Sequence, residues 1–260
     1  MIQYHATNLM VLNDLLLLSG NDIPFIEAEM TIHQPTIKEI AYLGEDNFFS
    51  GCQMLNFSKN LLSEEDKVNL ESQSNFDILI AILGERNAVM QKNRNCTLMV
   101  LALLFPEYQI AITKDSFEFK KENEKHHIDN SNFEEFKSII NQIFQLTSKD
   151  DPANVNPSGE MAKRIAEKLQ RRHQKLAEQK GEKKVDILSR YVSILAVGEN
   201  KDMNALLNYT FYQLFDEIER YQLKISYDMY IQAKMAGAKD LKEVDDWMKD
   251  IHSVETQDKI

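Results

Sequence analysis

Apolar residues at Leu207, Phe211, Leu214, Ile218, Tyr221 and Ile225 recur in steps of four, three, four, three and four, which makes one stripe on a helix. Thr210 followed by Gln213 is a capping box, and Leu207 keeps the same period. The helix therefore starts at Thr210 or one turn earlier, near Asn204. Tyr209, Tyr212 and Phe215 widen the apolar face beyond a two-helix seam, so the stripe reads as core rather than as a docking surface. A second run of Tyr227, Tyr230, Ile231, Lys234 and Met235 leads to Gly237, which suits the left-handed position past a helix end. Asp240 with Glu243 then predicts a short last helix carrying Trp247, the only tryptophan.

Upstream the pattern is mixed. Asn8 to Leu18 reads as an amphipathic helix or buried segment closed by the turn Ser19-Gly20-Asn21-Asp22. Phe25 to Ile32 alternates like a strand with one wet face and stops at Pro35. Thr36 with Glu39 caps a short helix through Ile37, Ile40 and Ala41 to Gly44, and Asp46 to Leu62 predicts another, with Phe48, Cys52, Leu55 and Lys59 on one side. Gly51 weakens that second helix. Ser74 or Asn75 caps a helix through Leu83, and Glu85 to Phe105 is the most apolar helix, ended by Pro106. Tyr108 to Thr113 and Ser116 to Lys121 predict a hairpin about Lys114-Asp115, and Ser131 with Glu134 caps a helix through Leu146.

Thr147 to Glu160 holds Pro152, Pro157 and Gly159 and little that packs, so it is the predicted boundary. The expected class is α+β, mainly helical overall. A mixed domain spans 1–148, a linker 149–160, a helical domain with a basic first helix 161–251, and a flexible tail 252–260. A further short helical piece falls at Val185 to Val197.

Charge changes this picture in one place. The chain of 260 residues carries a net charge of -11, which favours solubility and disfavours general binding to phosphate backbones. Met161 to Lys184 nevertheless holds nine Lys/Arg against three acids, a local +6 that leaves -17 for the remainder. Ile165, Leu169 and Leu176 give this segment one thin apolar seam. A solvated helix drawn to acidic protein surfaces, such as Asp216, Glu217 and Glu219 or a partner subunit, is the simpler reading. Phosphate contact is the alternative, without the aromatic platforms of single-strand binders. Two cysteines, Cys52 and Cys96, are too few for a disulfide framework. No apolar run reaches the roughly 20 residues of a membrane span, and the amino terminus lacks a basic region and a cleavage site, so neither membrane insertion nor a secretion signal is expected.

Candidate chemistry is sparse. His126-His127 reads as part of a polar loop near Glu122, Glu124 and Asp129, matching no ligand frame, and Asp129-Asn130-Ser131-Asn132 lacks the glycine and closing glutamate of a calcium loop. Phosphate-loop, dinucleotide, nucleophile-elbow and zincin motifs are absent, and adjacent acids such as Asp245-Asp246 and Glu64-Glu65 splay on a helix. No catalytic residue, cofactor or metal is expected, and the protein is not expected to be an enzyme.

Ile32 to Ile40 with Gly44-Glu45, Asn132-Phe133-Glu134, the segment from Asn156-Pro157 to Leu176, and Thr210 to Lys239 together resemble tailed-bacteriophage morphogenesis-region proteins of the tail assembly chaperone-like kind. The resemblance implies a non-enzymatic assembly role in the host cytoplasm, with a tail component such as the tape measure protein, or a second copy of the chain, as partner. A virion tail or baseplate subunit is the alternative it leaves open, with nucleic-acid binding through 161–184 a further one. The resemblance supplies no site residues. From the residues themselves, Lys168, Arg171, Arg172, Lys175, Met235 and Trp247 are the candidates for partner binding.

Overall fold

The computed structural model describes residues 12–59, 72–146, 186–239 and 241–249. The architecture is α+β, with two small antiparallel sheets and a helical carboxyl-terminal region. Helix α1 (Asp14–Ser19) closes on Gly20, whose φ of 70° is the left-handed geometry that glycine adopts without strain. Strands β1 (Ile23–Phe25) and β2 (Met30–Ile32) pair antiparallel, with Ile23 opposite Ile32. The alternation over Phe25 to Ile32 therefore hides a reversal. A 3-10 turn at Ile26–Ala28 and a left-handed Glu29 fold the segment back, turning Ile26 out and keeping Phe25, Met30 and Ile32 buried.

Helix α2 (Ile37–Leu43) starts at the predicted Thr36–Glu39 capping box. Helix α3 (Glu45–Leu55) ends at Asn56, short of the expected Leu62, whose own position lies outside the described residues. Ser74 and Asp77 form a second capping box at the start of α4 (Asn75–Gly84). In α5 (Ala88–Leu104) the first turn moves inward from Glu85, because the Asn87 side chain takes the Met90 amide at 2.9 Å and fixes the start there. The guanidinium of Arg94 on α5 donates to the carbonyls of Leu83 at 3.1 Å and Ile112 at 2.9 Å, tying three elements together.

The predicted hairpin is present as β3 (Gln109–Ile112) and β4 (Phe117–Lys121), but a third strand, β5 (Glu124–Ile128), continues the sheet. His126 and His127 thus belong to a strand and not to a polar loop. The sequence conceals the turn because Glu122, not a glycine, supplies its left-handed residue at φ 53°. His126 points inward, its Nδ1 at 3.0 Å from the Ala28 carbonyl and its ring edge-on to Tyr108. Among the described residues, no group of three or more His, Cys, Asp or Glu is arranged to hold a metal, and no helix is long and apolar enough to cross a membrane. Helix α6 (Phe133–Ile143) starts two residues after Ser131, whose hydroxyl bonds Asp129 at 2.6 Å instead of capping, and it ends before Leu146.

The described carboxyl-terminal part comprises α7 (Ile187–Gly198), α8 (Met203–Leu207) and the long α9 (Phe211–Met235). The boundary placed at 149–160 lies outside the described residues. On either side of it, one hydrophobic cluster takes in both Phe48, Leu79, Phe117 and Phe144 and the later Leu188, Leu195, Phe211 and Ile218. Rings carry much of this packing. Phe105 lies 4.6 Å from Phe119, Phe76 lies 4.8 Å from Phe133, and Phe211 stacks on Phe215 at 4.2 Å while meeting Phe48 and Phe144 at 5.8 and 5.5 Å.

Candidate functional site

Helix α9 is built in two halves, and its first half is fastened at many points. Thr210 caps it with Gln213 in the predicted box, and Thr36 bridges to Thr210 across the chain. The Ile37 amide donates to the Tyr209 carbonyl at 2.8 Å and the Phe211 amide to the Pro35 carbonyl at 3.4 Å. The Gln213 side-chain amide donates to the Leu18 carbonyl at 2.6 Å, and the Tyr212 hydroxyl to Asp14 at 3.2 Å. Lys201 ion-pairs with Glu199 at 3.2 Å and with Glu217. Phe211, Tyr212, Leu214 and Ile218 are buried, so the core reading of the stripe holds at this end. The helix starts at Thr210 and not near Asn204, because α8 ends at Leu207 and a turn intervenes.

The same loop carries His33, whose Nδ1 lies 2.9 Å from Asp22 and whose Nε2 lies 3.3 Å from Glu39. Desolvation opposes the charged imidazole, but the hydrogen bonds and negative charge of Asp22 and Glu39 outweigh it and raise the pKa above the ordinary 6.5. A raised folded-state pKa contributes stability that is complete below the unfolded value and lost as pH rises through the folded one. Melting temperatures across that interval are expected to fall more steeply for the native chain than for His33→Gln. Parallel curves for the two proteins would remove this contribution.

Tyr221 is still partly buried against the core, and beyond it the helix leaves the body. The remaining turns to Met235 extend about 21 Å at 1.5 Å per residue. Ile225 and Met229 prolong the core-facing stripe but are 38% and 65% exposed, and Met235 is 84% exposed. The stripe read as uniformly buried core thus ends as an open apolar edge. On the other side of the helix, Arg220, Leu223, Tyr227, Tyr230 and Ile231 share one face by their spacing and are half-buried. Residues 241–249 return along the helix to this level, where Arg220 Nη1 donates to the carbonyl of Trp247 at 3.2 Å and to that of Lys249.

The predicted last helix does not form over 241–249. Asp246 accepts the Met248 amide on its side chain at 2.9 Å, and its carbonyl accepts the Lys249 amide at 3.0 Å, a turn that competes with helix. Of the candidate binding residues, the structure puts Met235 at the free end of α9 and draws Trp247 back beside Arg220. Lys168, Arg171, Arg172 and Lys175 lie outside the described residues. Arg220 has no sequence signal of its own, since nothing distinguishes it from other helical cations until the tail is seen.

A groove of about 560 Å³ runs between α2, α7 and α8, floored by Ile40, Leu188 and Val192 and flanked by Met203 and Leu207. At one end the Glu45 carboxylate accepts the amides of Ile187 at 2.6 Å and Leu188 at 3.2 Å, pinning the start of α7 to α3. Desolvation, together with the charges of Asp186 and Asp46, raises the pKa of this carboxyl against the pull of those two amides.

Residues 180–252 match the family model of the YomV second domain, well under half of the chain. YomV is a Bacillus phage-region protein, and a phage-associated domain is therefore present here. Its described part holds α7, α8, α9 and the returning segment. Comparison with curated proteins and with solved structures finds no match.

Proposed function

We propose that this chain is a non-enzymatic phage tail assembly factor or chaperone that holds another tail protein, such as the tape measure protein, in the host cytoplasm. The observation that carries this reading is a phage-associated domain whose longest helix leaves the core with Ile225 and Met229, which prolong its apolar stripe, exposed and with Met235 exposed at its end. Methionine suits such a role because its unbranched, polarisable side chain adapts to a partner helix. The net charge of -11 weighs against nucleic acid as the main partner.

The test is co-purification from infected cells, separating assembly intermediates from finished particles. Met229→Asp is expected to reduce capture of the tail protein at least tenfold, equivalent to about 1.4 kcal/mol, while changing stability by less than about 0.5 kcal/mol as exposed sites do. Unchanged capture would overturn the assignment of the surface. Recovery of the chain in finished particles at fixed stoichiometry would favour the virion-subunit alternative.

A further inference from the structure

The groove between α2, α7 and α8 has an apolar floor of Ile40, Leu188 and Val192, and among the described residues nothing fills it. Met203 at its rim is 51% exposed. Glu45 and Asp186 line the groove together, and among the described residues no lysine or arginine lines it. Desolvation, then the charges of Asp186 and Asp46, hold the Glu45 carboxyl above its ordinary range, so this end of the groove carries crowded negative charge. Such a surface suits an occupant that is apolar along one line and cationic beside it.

The chain itself brings such an occupant to the mouth of the groove. Residues 147–185 lie outside the described residues and lead directly into Asp186, one of the two lining acids. Within them, the +6 stretch of 161–184 is separated from Asp186 by Val185 alone. Ile165, Leu169, Arg172 and Leu176 stand four, three and four apart, which puts an arginine on the same line as the apolar residues. Burying an arginine on an apolar line is costly unless a carboxylate faces it, and this groove holds carboxylates beside its apolar floor. Glu217, a counter-charge suggested by sequence alone, is taken by Lys201. Leu176 precedes Leu188 by twelve residues, a tether that reaches up to ~40 Å and holds the segment near the groove at roughly millimolar local concentration. Gly181 within that tether permits the chain to reverse.

We propose that this groove is the seat of residues 161–184 of the same chain, with Leu169 and Leu176 on its apolar floor and Arg172 against Glu45 and Asp186. Seated there, the basic stretch neutralises the protein's own acidic face and is withheld from phosphate. The seat does not depend on the assembly-factor reading, because it is built from this chain alone.

Trypsin cleavage after Arg171 and Arg172 in the full chain reads how often the segment is open, and carbodiimide cross-linking reads where it sits. Leu169→Ser/Leu176→Ser removes the apolar line, whereas Ala41→Trp fills the groove from an exposed position on α2. Each is expected to speed this cleavage about tenfold, as the seated population is lost. Raising the ionic strength from about 0.1 M to about 1 M should speed cleavage of the native chain in the same direction, by screening the ion pairs. Carbodiimide is expected to join Lys168 or Lys175 to Glu45, Asp46 or Asp186 in the native chain and in neither variant. An unchanged melting temperature checks that each variant keeps its fold, and the cross-link map of the native chain needs no variant. Native cleavage as fast as that of Leu169→Ser/Leu176→Ser overturns the seat. Acceleration by the leucine variant but not by Ala41→Trp, with cross-links to other acids, places the segment elsewhere and overturns the groove. Cross-links between isotope-labelled and unlabelled chains in a mixture put the segment of a second copy in the groove and overturn the same-chain seat. Every readout uses the isolated chain, so a failed seat leaves tail-protein capture untouched, and failed capture leaves the seat standing.

Discussion

Replacing Phe211 by alanine is expected to lower stability by about 3–5 kcal/mol, the usual cost of removing a buried phenylalanine. For a chain of this size that is a fall in melting temperature on the order of 10 °C. The ring is 2% exposed and touches Phe48, Phe49, Phe144 and Phe215, which come from α3, the end of α6 and α9 itself. Collapse around the cavity is hindered because the backbone on either side is fastened by Pro35, Thr36 and Leu18. Because this residue joins regions placed in two separate domains by sequence, urea unfolding of Phe211→Ala should shift the whole helical signal as one transition. A variant that loses only the signal of α7 to α9, leaving the rest at the native midpoint, would show that the regions unfold separately.

The elements that could be read from sequence are those whose signals are local. The predicted capping boxes Thr36–Glu39 and Thr210–Gln213 mark helix starts because the capping side chain and the amide it satisfies lie three residues apart, and Ser74, one of the two caps offered for α4, forms a box with Asp77. The boxes read at Ser131–Glu134 and Asp240–Glu243 do not hold, because Ser131 bonds Asp129 and 241–249 is not helical. The misread segments are those decided elsewhere. Strand β5 depends on a left-handed Glu122, which the residue type disfavours and pairing with β4 stabilises. The hairpin of β1 and β2 depends on Glu29 in the same way, so its alternation looked like one strand.

The candidate site divides along the same line. Met235 and Trp247 stand out in the sequence as an apolar residue just before the helix-ending Gly237 and as the only tryptophan. That Trp247 is drawn back to Arg220, across 27 positions, is a tertiary fact with no periodicity to announce it. The stripe on α9 shows the limit most directly. Its period is continuous from Phe211 to Ile225, yet full burial ends at Ile218 and contact with the core at Tyr221, because periodicity reports which face is apolar and not how far the body extends along it.

Gly51 gives the second large expected effect, and its sign is not obvious. In an ordinary helix interior alanine is favoured over glycine by about 1 kcal/mol, so Gly51→Ala on α3 would be expected to stabilise. Here a Cβ would lie 2.5 Å from the Cys96 carbonyl oxygen and 2.5 Å from Val100 Cγ2, with the Cys96 carbonyl carbon at 2.9 Å. Two of these atoms are α5 backbone and cannot rotate away, so α3 and α5 must separate along their shared face. Overpacking of this kind typically costs 1–3 kcal/mol, and more where backbone must shift, which outweighs the propensity gain. Gly51→Ala is thus expected to destabilise by about 1–3 kcal/mol net in urea unfolding. Adding Val100→Ala should not rescue it, since the carbonyl contact remains and a further cavity is opened. Gly84→Ala is the matched control, because nothing lies within 4 Å of its Cβ position. It should leave stability equal or higher by about 0.4–1 kcal/mol through the unfolded chain. If Gly51→Ala proves as stable as Gly84→Ala, the close approach of α3 to α5 is not a constraint on this fold.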